Sequence, residues 1–110
     1  MVRNLTKECV LAVREKHAGS FPERLRGLIG HDFSSFDAML FASCNAIHTF
    51  FMAFPIDVIF ADREKKVRKT VKNFPPNRLY AGCPGAFWTI ELPQGTLEKT
   101  GTGIGDVLDF

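Results

Sequence analysis

Tryptophan and tyrosine occur once each in this chain, and cysteine only three times. An excess of one charge sign is missing as well: 14 Lys and Arg stand against 12 Asp and Glu, a net charge of +2. So weak a balance makes no general case for nucleic acid as a partner. Cys9, Cys44 and Cys83 are odd in number and scattered, which argues against a disulfide framework and fits reduced thiols in a reducing compartment. No segment approaches the ~20 apolar residues of a membrane span. The longest apolar stretch, Phe50 to Ala61, contains Pro55 and Asp57. The opening residues, MVRNLTKECVLAVREKHAG, carry a charge every few positions and so lack the apolar run of a signal peptide. The expected location is therefore the cytoplasm, with no membrane partner. Repeats, low-complexity tracts and internal linkers are absent too, and residues 1–110 are expected to form a single domain.

What the chain has in quantity is phenylalanine, 11 residues. Phe brings large buried area with no polar handle, so a tightly packed core is the economical reading. A chain of this length buries roughly 60–70% of its unfolded surface, enough for one core without staples. The strongest local signal is GSFPERLRGLIGHD. Ser20 and Glu23 make a capping box, Pro22 sits in the first turn, and Gly30 closes a helix whose apolar face is Phe21, Leu25, Leu28 and Ile29. The rest reads as strand. CVLAVREK, AMLFAS, IHTFFMAF, IDVIFA, VRKTVKN, AFWTIEL and the last residues of GIGDVLDF are short β-rich segments, and PQGTLEKTG is a turn with a second short helix closed by Gly101. Connections this short imply mostly antiparallel pairing. The expected fold is α+β and mainly β: an antiparallel curled sheet or half-barrel with two short helices.

Candidate chemistry concentrates in CNAIHTFFMAFPIDVIFADREKK, where polar residues stand in a very apolar stretch. Side chains alternate faces along a strand. In one unbroken strand His48 falls with Phe50, Met52, Ile56 and Phe60, while Thr49 falls with Phe51, Asp57 and Ile59. A bulge at Pro55 would flip that parity and let His48 and Asp57 meet as an acid–base pair. The commoner role of a lone Asp in an apolar strand is structural, accepting backbone N–H bonds, because an unpaired buried charge costs several kcal/mol. Cys44, His48, Thr49, Met52 and Asp57 are the candidate binding residues. No metal is expected, since Cys44, His48, Cys83, His31 and His17 make no recognisable ligand spacing. A basic patch of Arg63, Lys65, Lys66, Arg68, Lys69 and Lys72 lies in REKKVRKTVK. No aromatic residue is interleaved there, so an exposed hairpin edge whose lysines discourage strand addition is the plainer reading. GTGIGD lacks the Lys-Ser/Thr of a phosphate loop, and ELPQGT reads as a strand exit with Pro93 ending the ladder.

The helix ERLRGLIG, the strand AMLF, the stretch IHTFFMAFPIDVIFAD, the turn ELPQGT and the closing GIGDVL occur in an order that resembles the domain of unknown function 192 family. The match runs from Arg24 to Asp106. Where many members carry Met-Lys-Asn-Thr, this chain has Met52-Ala53-Phe54-Pro55 and resembles the branch with His-Thr ahead of the aromatics. The resemblance implies a compact, mainly antiparallel β domain with short helices, and no established activity. From these readings the expected function is a ligand-binding or accessory module with a pocket near residues 43–57 and no cofactor. Its partner is an unidentified small molecule or protein. Two alternatives are an enzyme using His48 and Asp57, and an interaction protein using the basic hairpin 63–72 on nucleic acid or an acidic partner.

Overall fold

Two runs of the chain, Ala38–Ala42 (β4) and Ile56–Ala61 (β6), are buried at nearly every position. Strands covered on both faces cannot alternate apolar with polar residues, which is why AMLFA and IDVIFA read as near-continuous apolar runs. The computed structural model describes residues 1–18, 33–47, 54–76 and 81–110. The other strands are β1 (Val2–Asn4), β2 (Cys9–Ala12), β3 (Glu15–His17), β5 (Ala46–Ile47), β7 (Val67–Phe74), β8 (Ala81–Gly82), β9 (Trp88–Pro93) and β10 (Leu108–Asp109). A short helix, α1 (Thr96–Thr100), follows β9.

Five strands form the main sheet in the order β3-β4-β9-β6-β7. A second sheet has the order β10-β1-β2, and β5 pairs with β8 as a small ribbon. The two larger sheets touch through a bridge between Lys66 and Val107, reinforced by Val67 N–H to Asp106 O at 2.8 Å and Leu108 N–H to Lys65 O at 2.9 Å. They do not close into a barrel.

The mainly β expectation holds, with three corrections. The β3–β4 pair is parallel, because the chain between His17 and Ala38 is long enough to return to the same end of the sheet. CVLAVREK is split into β2 and β3, because Val13 and Arg14 turn their N–H groups to the Asp37 carboxylate, at 2.8 and 2.7 Å, instead of to a ladder. Among the described residues there is one short helix, α1, where two were expected. The helix read over Ser20–Gly30 lies outside the described residues. Gly101, at φ 68°, closes α1 as its sequence suggested.

Parity divides the side chains of the main sheet. Ala38, Leu40, Ile59, Ile90 and Leu92 join Val2, Leu11, Leu97 and Leu108 in one apolar cluster, which links the main sheet with the second sheet and α1. Met39, Phe41, Ile56, Val58, Phe60 and Phe74 form a second cluster on the opposite face. Ile47 of β5, with Phe33, Cys44, Phe54 and Cys83 of the connecting segments, packs against that second cluster. At the far end Asp106 locks the glycine-rich loop. It accepts from Asn4 Nδ2 at 2.9 Å, Lys7 Nζ at 2.9 Å and the Gly103 N–H at 3.0 Å. Burial pushes the Asp106 carboxyl up, but these donors outweigh it and hold it below the ordinary aspartate value.

Candidate functional site

Asp57 and Glu91 both sit in the main sheet with apolar neighbours in sequence, and both are buried. They point to opposite faces. Asp57 pairs with Leu92 across β6–β9 and so shares the face of Ile59 and Leu97. Its Oδ1 accepts the Asn73 N–H at 3.0 Å and its Oδ2 accepts the Leu97 N–H at 2.9 Å. The first of these bonds is made at a bulge. Ile56 pairs with Phe74 and Val58 with Val71, so β7 carries an extra residue there, and Asn73 takes up φ 53°. The second caps α1. The N-cap residue of that helix is Gly95, which has no side chain to accept a first-turn N–H, so a carboxylate from a distant strand does it. The register of this strand pair shifts here and again between Phe60 and Ala61; the bulge expected at Pro55 concerns a stretch whose residues 48–53 lie outside the described residues.

Glu91 lies on the other face, between Met39 of β4 and Val58 of β6. It is 3% exposed, and its Oε2 has no hydrogen-bond partner among the described residues. The backbone cannot help, because β9 is flanked on both sides and its ladder groups are committed to β4 and β6. Its near neighbours on the face, Met39, Phe41, Val58 and Phe60, offer no N–H or O–H group. Thr89, one position further along the face, donates its hydroxyl to Cys44 O at 2.8 Å. Burial pushes the Glu91 carboxyl up to about 8, so at neutral pH the group is mostly the uncharged acid.

Of the residues singled out from sequence, Cys44 is on Glu91's side of the sheet. Its thiol donates to Ala46 O at 3.2 Å and its side chain packs on the Phe41–Phe60 cluster. His48, Thr49 and Met52 lie outside the described residues. The basic hairpin is largely tied into the fold. The Arg63 guanidinium lies 4.3 Å over the Phe87 ring, and Lys65 donates to the Phe110 carbonyl and sits 4.2 Å over its ring. Arg68 pairs with Asp62 at 2.9 Å, and Lys69 donates to Gly82 O at 2.8 Å. Lys66 and Lys72 are exposed. Among the described residues no three His, Cys, Asp or Glu side chains converge as a metal site, and no helix is long and apolar enough to cross a membrane. An open depression of ≈ 320 Å³ lined by Arg3, Asn4, Leu5, Glu8, Cys9 and Val10 lies on the second sheet. Its buried polar residue, Asn4, is already bonded to Thr102 and Asp106.

Sequence reasoning passed over Glu91. The signal was available, since Glu91 stands between Ile90 and Leu92 just as Asp57 stands between Ile56 and Val58.

A mainly β domain whose central strand carries a buried acid, with no partner for its Oε2 among the described residues, is what fold and site define, and comparison with known proteins places it. Residues 3–110 match the family described as "Uncharacterized ACR", and the chain belongs to this family, DUF192. It is similar to a UPF0127 protein of Thermococcus sibiricus, 37% identical over 116 residues that cover 100% of this chain and 74% of that one. In structure it is similar to a protein of unknown function from Novosphingobium aromaticivorans, with TM-score 0.77 and 18% identity over 87% of this chain and 74% of that one. A Sinorhizobium meliloti protein described provisionally as a transcription regulator gives TM-score 0.77 and 20% identity, over 86% and 79% of the two chains. At these identities the solved structures support the fold alone.

Proposed function

We propose that this protein is a small-molecule binding module acting through the face of the main sheet that carries Glu91 and is packed by Cys44, Ile47 and Phe54. The observation that carries this reading is the Glu91 carboxyl, buried and without a partner for Oε2 among the described residues. Leaving such a group unsatisfied costs about 1–3 kcal/mol, and a carboxylate costs more. An apolar side chain would be the stable choice at that position. A stability cost held at one point of an apolar face calls for an explanation, and a binding site is one that supplies it. Among the described residues, nothing on this face sets a nucleophile next to a base. The acid–base alternative depends on Asp57, whose two oxygens already serve backbone N–H groups.

The test is a fragment screen followed by amide chemical shifts. Binding fragments are expected to move the Cys44, Ile47, Val58 and Glu91 amides and to leave Asn73 and Leu97 in place. A screen in which no fragment shifts the Glu91 face would end this reading.

The interaction reading of hairpin 63–72 has a separate outcome. With Arg63, Lys65, Arg68 and Lys69 each held in a contact with its own chain, retention on DNA at low salt is expected to stay at background and not to change in Lys66→Ala/Lys72→Ala. Salt-sensitive retention that this double variant abolishes would establish the hairpin as the functional surface instead.

A further inference from the structure

Resting on that reading, we infer that the Glu91 face recognises a small organic cation, an ammonium or guanidinium group carried on an apolar body. Three observations point this way. Glu91 is the buried acid of this face, and none of the described cations is bonded to it. Lys16 Nζ, reaching from β3, lies 5.8 Å from the Phe36 ring centroid, and Lys69, from β7, is bonded to Gly82 O. The other titratable side chains brought to this face by the described segments are the thiols of Cys44 and Cys83, which supply no positive charge.

The second observation is aromatic. Phe33 packs edge-to-face with Phe36 and with Phe54, centroids 5.8 Å apart in both pairs; Phe36 belongs to the second cluster, and Phe33 and Phe54 pack against it. Ring faces carry negative potential and attract cations. The Phe36 ring already takes Lys16 in this way, so a cation and these rings are compatible neighbours. The third is the ligand count. A single carboxylate among aromatic and aliphatic groups lacks the oxygen or nitrogen set that an inorganic cation requires. An organic cation needs only one acid and apolar walls. Binding converts the neutral acid to a carboxylate, its proton passing to solvent, and forms one charge-assisted N–H to Oε2 bond where there was none.

Benzylamine and benzyl alcohol test this, since they match in shape and differ in charge. The wild-type protein is expected to bind benzylamine about tenfold more tightly, the ratio that 1.4 kcal/mol of extra interaction confers. Glu91→Gln is expected to remove that preference. In the wild type the Glu91 carboxyl carbon resonance should move to the carboxylate position when benzylamine is added, a readout that needs no variant. Equal binding of the two probes at the Glu91 face would overturn the cation inference and leave the binding module standing. Benzylamine binding that is indifferent to Glu91→Gln, or that leaves the carboxyl resonance unmoved, would also overturn it. Failure of both probes and of the whole fragment screen would remove the two readings together.

Discussion

Replacing Glu91 by Gln is expected to flatten the stability of this protein against pH between about 4.5 and 8. The sign follows from proton counts. The folded-state value is raised to about 8 against an ordinary 4.5. Below the lower value both states hold the proton and the full folded stability is present. Between the two values the folded state keeps a proton that the unfolded chain gives up, so stability falls as pH rises through the folded value. At 1.36 kcal/mol per unit, the loss is on the order of 4–5 kcal/mol. Glutamine cannot ionise, so its profile lacks this slope. Methionine at the same place removes the polar atom as well and is expected to raise stability at pH 8 by several kcal/mol, as when a buried charge gives way to an apolar residue of similar size. Denaturant midpoints measured at half-unit steps would decide it. Parallel profiles for wild type and Glu91→Gln would show that the Glu91 carboxyl is satisfied in solution. A residue whose removal strengthens the fold is one retained for something other than folding.

Asp57→Ala works in the opposite direction. It strands the Asn73 N–H at the β7 bulge and the buried Leu97 N–H at the start of α1. Each lost partner costs about 1–3 kcal/mol, so the total is about 2–6 kcal/mol. Asp57→Asn keeps one acceptor and turns an N–H group towards a backbone N–H, which recovers only part of the loss. Hydrogen exchange localises the effect. The Asn73 and Leu97 amides are expected to exchange faster in Asp57→Ala while amides of β4 keep their protection relative to global unfolding. An unchanged midpoint would mean that Asp57 is not holding these segments. The two acids thus make a matched pair: substituting Asp57 breaks the fold, and substituting Glu91 strengthens it.

Several elements were legible from local pattern. AMLFA, IDVIFA and the TIEL part of AFWTIEL are strands because they are short, apolar and bounded by turn residues. The helix after ELPQG ends at Gly101 because that position needs positive φ. The N-terminal strand Val2–Asn4 was not legible: three residues, one of them Arg3, carry no period, and they pair only because Cys9–Ala12 and Leu108–Asp109 lie on either side. The parallel β3–β4 pair was equally hidden, since strand direction depends on the path between strands. Even the weak alternation of AMLFA misleads, because burial on both faces erases the signal that marks a core-facing side.

The candidate site divides in the same way. The sequence marked Asp57 as an acid in an apolar strand, and it showed that a structural acceptor is the commoner role for such a residue. Glu91, between Ile90 and Leu92, carries the same local mark. By itself the sequence determined the apolar runs, the turn glycines, the excess of phenylalanine and the want of a metal or phosphate motif, since these depend on near neighbours and composition. Only the tertiary structure decided which acid is partnered. The donors that satisfy Asp57 come from residues 16 and 40 positions away, whereas the central strand that carries Glu91 has spent its backbone groups on both neighbours. Hydrogen-bond satisfaction is a property of assembled surfaces, and no spacing along the chain encodes it.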